Sequence, residues 1–97
     1  MAAPAPAPPD DRVSVSRPSP NPFTDRAVVR YRMPTGTPFR ATLHDVRGRR
    51  LAVLHDGPAD GPSGEIVVDG SRLAAGVYRV RVVVPAGEET VTLVRAR

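Results

Sequence analysis

From residue 12 onward, apolar and polar residues alternate in short runs, and Gly, Pro and Asp break the runs at intervals of about ten residues. Alternation with period two puts every second side chain on one side of an extended chain, so each run predicts a strand with a dry and a wet face. Arg12 to Arg17 is the first; Pro18 and Pro20 close it and cannot join a central ladder, which makes it an edge strand. In Ala27 to Met33, Val29, Tyr31 and Met33 oppose Val28, Arg30 and Arg32. In the next run Phe39, Ala41 and Leu43 face inward while Arg40, Thr42 and His44 face out. Asp45-Val46-Arg47-Gly48 then reverses the chain, with Asp first and Gly fourth as a type I turn prefers. The return strand, Arg49 to His55, admits two registers: Leu51 with Val53 on one face or, through a bulge, Leu51 with Leu54.

Asp56 to Gly64 is rich in Gly, Pro and Asp and reads as a loop, followed by a strand at Glu65 to Val68 that Asp69-Gly70-Ser71 ends. Leu73-Ala74-Ala75-Gly76 leads into Val77 to Val84, where Tyr78, Val80 and Val82 alternate with Arg79, Arg81 and Val83. A turn at Pro85 to Glu88 gives way to a last strand, Glu89 to Arg95, with Val91 and Leu93 inward. About seven short strands and no helix predict an all-β domain, an immunoglobulin-like antiparallel β-sandwich over residues 12–97. A small closed barrel uses the same alternation and stays open as the other architecture. Residues 1–11 begin with a Pro/Ala repeat that suits a disordered, polyproline-like linker joining this domain to an upstream one.

Composition narrows the chemistry. The chain has 97 residues, no cysteine and no tryptophan, so aliphatic valine and leucine must fill the core and neither disulfides nor thiolate sites are available. The net charge is +4, and all 14 basic residues are arginine, spread along nearly every strand with acids between them. Nucleic-acid binding calls for basic residues gathered on one surface beside stacking aromatics, and that pattern is absent. No stretch approaches the roughly 18 apolar residues of a spanning helix, and no basic region followed by an apolar run opens the chain, so export would rely on a signal upstream. His44 and His55 are the only imidazoles. His44 and Asp45 are strand neighbours pointing to opposite faces, which is not a triad, and Asp56, Asp60 and Asp69 lack the spacing of a calcium loop. The expectation is a non-enzymatic domain with no metal or cofactor.

Three stretches carry a resemblance. Ser19-Pro20-Asn21-Pro22-Phe23, then Asp45-Val46-Arg47-Gly48-Arg49-Arg50-Leu51, then Leu73-Ala74-Ala75-Gly76-Val77-Tyr78, in this order and spacing, resemble the signatures of type A C-terminal sorting domains of the type IX secretion system. The resemblance implies a seven-stranded sandwich at the end of an exported protein, recognised by the outer-membrane secretion machinery and removed by a sortase-like protease. It implies a monomer fused to an upstream cargo, passing through the periplasm to the cell surface or medium. Gly76, Tyr78, Arg95 and Arg97 would take part in recognition, with Asn21, Pro22, Phe23, Asp45, Gly48 and Leu73 as the structural motif. Arginine stands at C-terminal basic positions where lysine is usual, and Val68 stands where related domains often have tryptophan. Flagellar-hook-cap modules share the Asp-x-x-Gly hairpin, so the fold alone does not separate sorting from assembly.

Each residue also has a local reading. Gly76 suits a positive φ before its strand, Tyr78 a core position with its hydroxyl at the rim, and Asn21-Pro22-Phe23 a turn that inserts Phe23 while Asn21 bonds its own backbone. Arg95 and Arg97 would solvate the edge of an exposed last strand. The other functional class is a retained immunoglobulin-like module binding protein or carbohydrate; sugar binding would need two of Phe23, Tyr31, Phe39 and Tyr78 exposed on one surface.

Overall fold

A computed structural model describes residues 13–97, so the Pro/Ala segment and Arg12 lie outside the described residues. Seven strands follow in order: β1 (Ser14–Val15), β2 (Arg26–Arg32), β3 (Pro38–Asp45), β4 (Arg50–Pro58), β5 (Ser63–Asp69), β6 (Gly76–Val84) and β7 (Gly87–Arg95). They form two sheets, β1-β2-β5 and β4-β3-β6-β7, with every strand pair antiparallel. The β3–β4 and β6–β7 hairpins stay within one sheet, while the β2–β3, β4–β5 and β5–β6 connections cross between sheets. This is an immunoglobulin-like sandwich with Greek-key connections.

The alternation predicts most of the core, except that Thr42, expected on the wet face, is buried and Val91, expected inward, is only half-buried. Ala27, Val29, Tyr31 and Met33 from the β2 run and Ile66 and Val68 from β5 meet Phe39, Ala41 and Leu43 from β3, the even-numbered residues from Tyr78 to Val84 of β6, and Leu93 of β7. Most are β-branched or short, so their stiff side chains interdigitate between the sheets with little rotamer entropy lost. Tyr31 packs at a tilt on Phe39, ring centres 4.9 Å apart, and His55 stacks on Phe39 at 3.8 Å.

Three expectations are corrected, and the open register of the fourth strand is settled. Asp56 to Gly64 is not one loop: Asp56, Gly57 and Pro58 extend β4 against Arg40, Phe39 and Pro38, and Ser63 and Gly64 extend β5. An edge strand leaves one side unpaired, so Pro58 costs it no ladder bond, and Gly57 takes a φ of 150° that other residues avoid. The first strand shrinks to Ser14–Val15, although Ser16 and Ser19 continue backbone bonding to Arg30 and Val28. The short connection after β5 holds one 3-10 turn, Gly70–Arg72, capped by the Asp69 carboxylate on the Ser71 N–H at 2.9 Å. On β4, the pairing with β3 slips twice, so Leu54 and Leu51 are the extra residues of two irregularities and line the same cleft between the sheets. The bulged register therefore holds, but Leu51 stays exposed and Leu54 only half-buried.

Candidate recognition site

The β3–β4 turn is built around Asp45. Its carbonyl accepts the Gly48 N–H at 3.0 Å, closing the expected type I turn, and Gly48 follows at a φ of 84°, a conformation that favours glycine. The Asp45 carboxylate accepts the N–H groups of Arg47 (2.9 Å) and Arg49 (3.0 Å) through Oδ1 and the Arg49 Nε through Oδ2 (2.9 Å). Burial pushes the Asp45 carboxyl up, but these donors outweigh it and hold the group below its ordinary 3.8. Both oxygens are thus committed to the turn, which leaves Asp45 no part in acid–base work with the neighbouring His44. His44 instead places Nε2 2.8 Å from Thr42 Oγ1 and Nδ1 3.3 Å from the Gly48 carbonyl.

Directly across from Asp45 lies Tyr78, the second residue of β6 after Gly76. Tyr78 is buried, and its hydroxyl donates to the Ala74 carbonyl at 2.6 Å. A tyrosine that bonds the backbone a few residues upstream is a recurring corner device of immunoglobulin-like sandwiches, and here it pins the incoming Leu73–Gly76 segment to its own strand. Gly76 takes a φ of 156°, as its turn reading expects, and an added Cβ would meet nothing within 4 Å, so the backbone rather than packing requires it. Leu73 is half-buried against the core.

Asn21-Pro22-Phe23 behaves differently from its sequence reading. Phe23 does enter the core, at 1% exposure, but Asn21 does not bond its own backbone. Its Oδ1 accepts the Val94 N–H at 2.8 Å and its Nδ2 donates to the Thr92 carbonyl at 3.4 Å. Phe23 then pairs in parallel with β7: its N–H donates to Val94 at 2.9 Å and its carbonyl accepts from Ala96 at 2.8 Å. The chain that began beside β2 in one sheet thus crosses to the last strand of the other. The prediction of a wholly exposed last edge is corrected accordingly, because residues 21–23 cover its C-terminal half.

Phe23 fits because Gly70 lies beneath it. A Cβ at Gly70 would sit 2.7 Å from the Phe23 ring, 2.8 Å from the Thr24 carbonyl oxygen and 3.1 Å from Arg95 Nε. The Gly70 N–H donates to Asp25 at 2.7 Å, and its carbonyl accepts Arg95 Nε at 2.9 Å. Arg95 also donates Nη1 to the Ala96 carbonyl. Its guanidinium is therefore half-buried and directed inward, whereas Arg97 is exposed. The two basic candidates separate into a latch and an exposed cation. Gly70, Asp69 and Arg72 were missed as site residues; Asp69-Gly70-Ser71 announces only a strand end, and nothing local shows that an aromatic 47 positions earlier will rest on it.

A cleft of about 650 Å³ opens between the free edges of β4 and β5, beside this end of the sandwich. Leu43, Leu51, Leu54, Leu73 and Tyr78 line it, with Asp45, Arg49, Asp69 and Arg72 at its margin. Ser71 hydrogen bonds hold the Asp69 carboxyl low against the opposing effect of burial, and the charges of Arg72 and Arg26 add to this. The three motif stretches, separated along the chain, thus meet around one end of the molecule. Comparison of the chain with protein-family models, with characterised proteins and with solved structures finds no match. The four aromatic side chains, Phe23 (1%), Phe39 (3%), Tyr31 (7%) and Tyr78 (7%), are all buried, and a sugar-stacking surface built from two of them is not present.

Proposed function

We propose that this domain is a non-enzymatic sorting module of the type IX kind, presented to an outer-membrane secretion machinery as the address of an upstream cargo. The observation that carries the reading is the convergence of the Asn21–Phe23, Asp45–Leu51 and Leu73–Tyr78 stretches on one end of the sandwich: Asp45 pairs with Tyr78, and Phe23 bridges Arg95, the partner of Gly76. Here the hairpin and the tyrosine corner line one apolar cleft with charged margins, and the Phe23 latch holds the last strand beside Gly76 at the same end. In this reading Arg97 and the cleft margin meet the receptor, while Gly76, Tyr78 and Arg95 act by holding the end in shape. Delivery to the periplasm precedes recognition, and a sortase-like protease removes the domain at the cell surface or on release.

The test is a periplasm-targeted reporter fused to residues 10–97 in a host that has this machinery. Export to the surface or medium is the expected result. A reporter that stays periplasmic, while a known sorting domain exports the same reporter, refutes the reading. Mass analysis of exported product separates the remaining alternative: an intact domain on the surface identifies a retained immunoglobulin-like module.

A further inference from the structure

The outer faces of the two sheets differ in how they compensate arginine. On the three-stranded sheet, Arg30 lies opposite Glu65 and bridges it at 3.4 Å, and Arg26 lies opposite Asp69. On the four-stranded sheet, Arg40 lies opposite Asp56, and Arg81 grips Glu88 with two bonds of 2.6 and 2.9 Å. That bond is the main reason the Glu88 carboxyl sits below its ordinary value. The next row has no acid. Arg50, His44 and Arg79 stand directly opposite one another across β4, β3 and β6; of the two carboxylates beside them, Asp45 is committed to its turn and to Arg49, and Glu88 to Arg81. Neither arginine of this row has an acid opposite it, so the row carries uncompensated positive charge.

The same face also exposes Val53, Val77, Val83 and Val94, each at least 36% accessible and each paired in register with a residue of that face or with another of these valines. Arginine is enriched at protein-binding surfaces, and the exposed valines beside it would gain by leaving water. Nucleic acid would want stacking aromatics, and all four are buried. A second copy of the face would bring arginine against arginine. We infer that the outer face of the four-stranded sheet, centred on the Arg50–His44–Arg79 row, docks an acidic polypeptide segment with interspersed apolar residues. Four strands about 4.8 Å apart give a face some 14 Å wide, which fits a small, exchangeable contact rather than a permanent one. This inference does not depend on the sorting reading, since it uses a different surface.

The probe is a peptide of about ten residues alternating Glu and Val, titrated into the full 97-residue chain and followed by amide chemical shifts. Saturable shifts should map to His44, Arg79 and their neighbours on β3 and β6, and weaken several-fold between about 50 and about 300 mM salt. Arg79→Glu or Arg50→Glu should weaken binding by roughly tenfold and raise affinity for the Lys-Val counterpart. Both side chains are exposed, so a retained native spectrum is expected of each, and either one suffices if the other fails to fold. The inference is overturned if no saturable shift appears, if the Lys-Val peptide binds the wild-type chain equally well, or if the shifts fall on the three-stranded sheet or the β4–β5 cleft. Heparin binding the same residues more tightly than the Glu-Val peptide would overturn the assignment to a polypeptide.

Discussion

Replacing Gly70 with alanine puts a methyl group where the structure has no room. The added carbon would lie 2.7 Å from the Phe23 ring and 2.8 Å from the Thr24 carbonyl oxygen. The ring can tilt, but the Thr24 oxygen belongs to the backbone that leads directly into β2, so relief requires moving the chain that bridges the two sheets. Overpacking of this kind costs about 1–3 kcal/mol, and Gly70 belongs at the upper end because both its N–H and its carbonyl are bonded to fixed partners. In a domain of this size each kcal/mol lowers the melting temperature by about 4–8 °C. Urea unfolding should therefore show a reduced midpoint with an unchanged slope. Gly61→Ala is the control, since its Cβ would meet only the Ser63 carbonyl at an ordinary 3.9 Å, and its stability should change by less than about 1 kcal/mol. Phe23→Leu combined with Gly70→Ala should recover part of the loss, not all, because Thr24 remains. If Gly70→Ala is as stable as wild type, the close packing of Phe23 on Gly70, and with it the account of the latch, is wrong.

Tyr78→Phe keeps the ring and removes only the bond to Ala74; it should lower unfolding stability by about 1 kcal/mol and increase amide exchange at residues 73–76, with the core amides of β3 unchanged. Acid should destabilise the fold: Asp45, Asp69 and Glu88 all have folded-state values lowered from 3.8, 3.8 and 4.5, so their contribution is complete above those values and is lost as pH falls through the lower folded ones. Chemical denaturation across pH 2 to 5 (roughly the range set by these groups) should show this decline, and Asp45→Asn should flatten it; a midpoint independent of pH there would contradict the assigned hydrogen bonds.

The sandwich was legible because its information is local. Alternation in Ala27–Met33, Phe39–Leu43 and Val77–Val84 assigns each side chain to a face, and valine's stiffness makes those faces good sheet surfaces; the type I turn at Asp45–Gly48 likewise needs only four residues to declare itself. Where the local signal was ambiguous or misleading, pairing settled it. Gly57 and Pro58 look like loop residues, yet the edge position of β4 lets them be strand, and the two slips along β3 turn Leu51 and Leu54 to the same cleft. The motif residues were visible one by one, but their roles were not: Asn21 looked inward to its own turn and proved to bond β7, and Arg95 looked like a solvated edge residue and proved to hold Gly70. Both partners lie far away in sequence, 73 residues for Asn21 and 25 for Arg95. What the sequence determined by itself was which side chains avoid water and where the chain can turn, since these depend on a residue and its immediate neighbours. The tertiary structure alone decided that residues 21–23 cross to the last strand, that Phe23 rests on Gly70, and that Arg50, His44 and Arg79 stand in one row, because each follows from strand order and register, which alternation leaves undetermined.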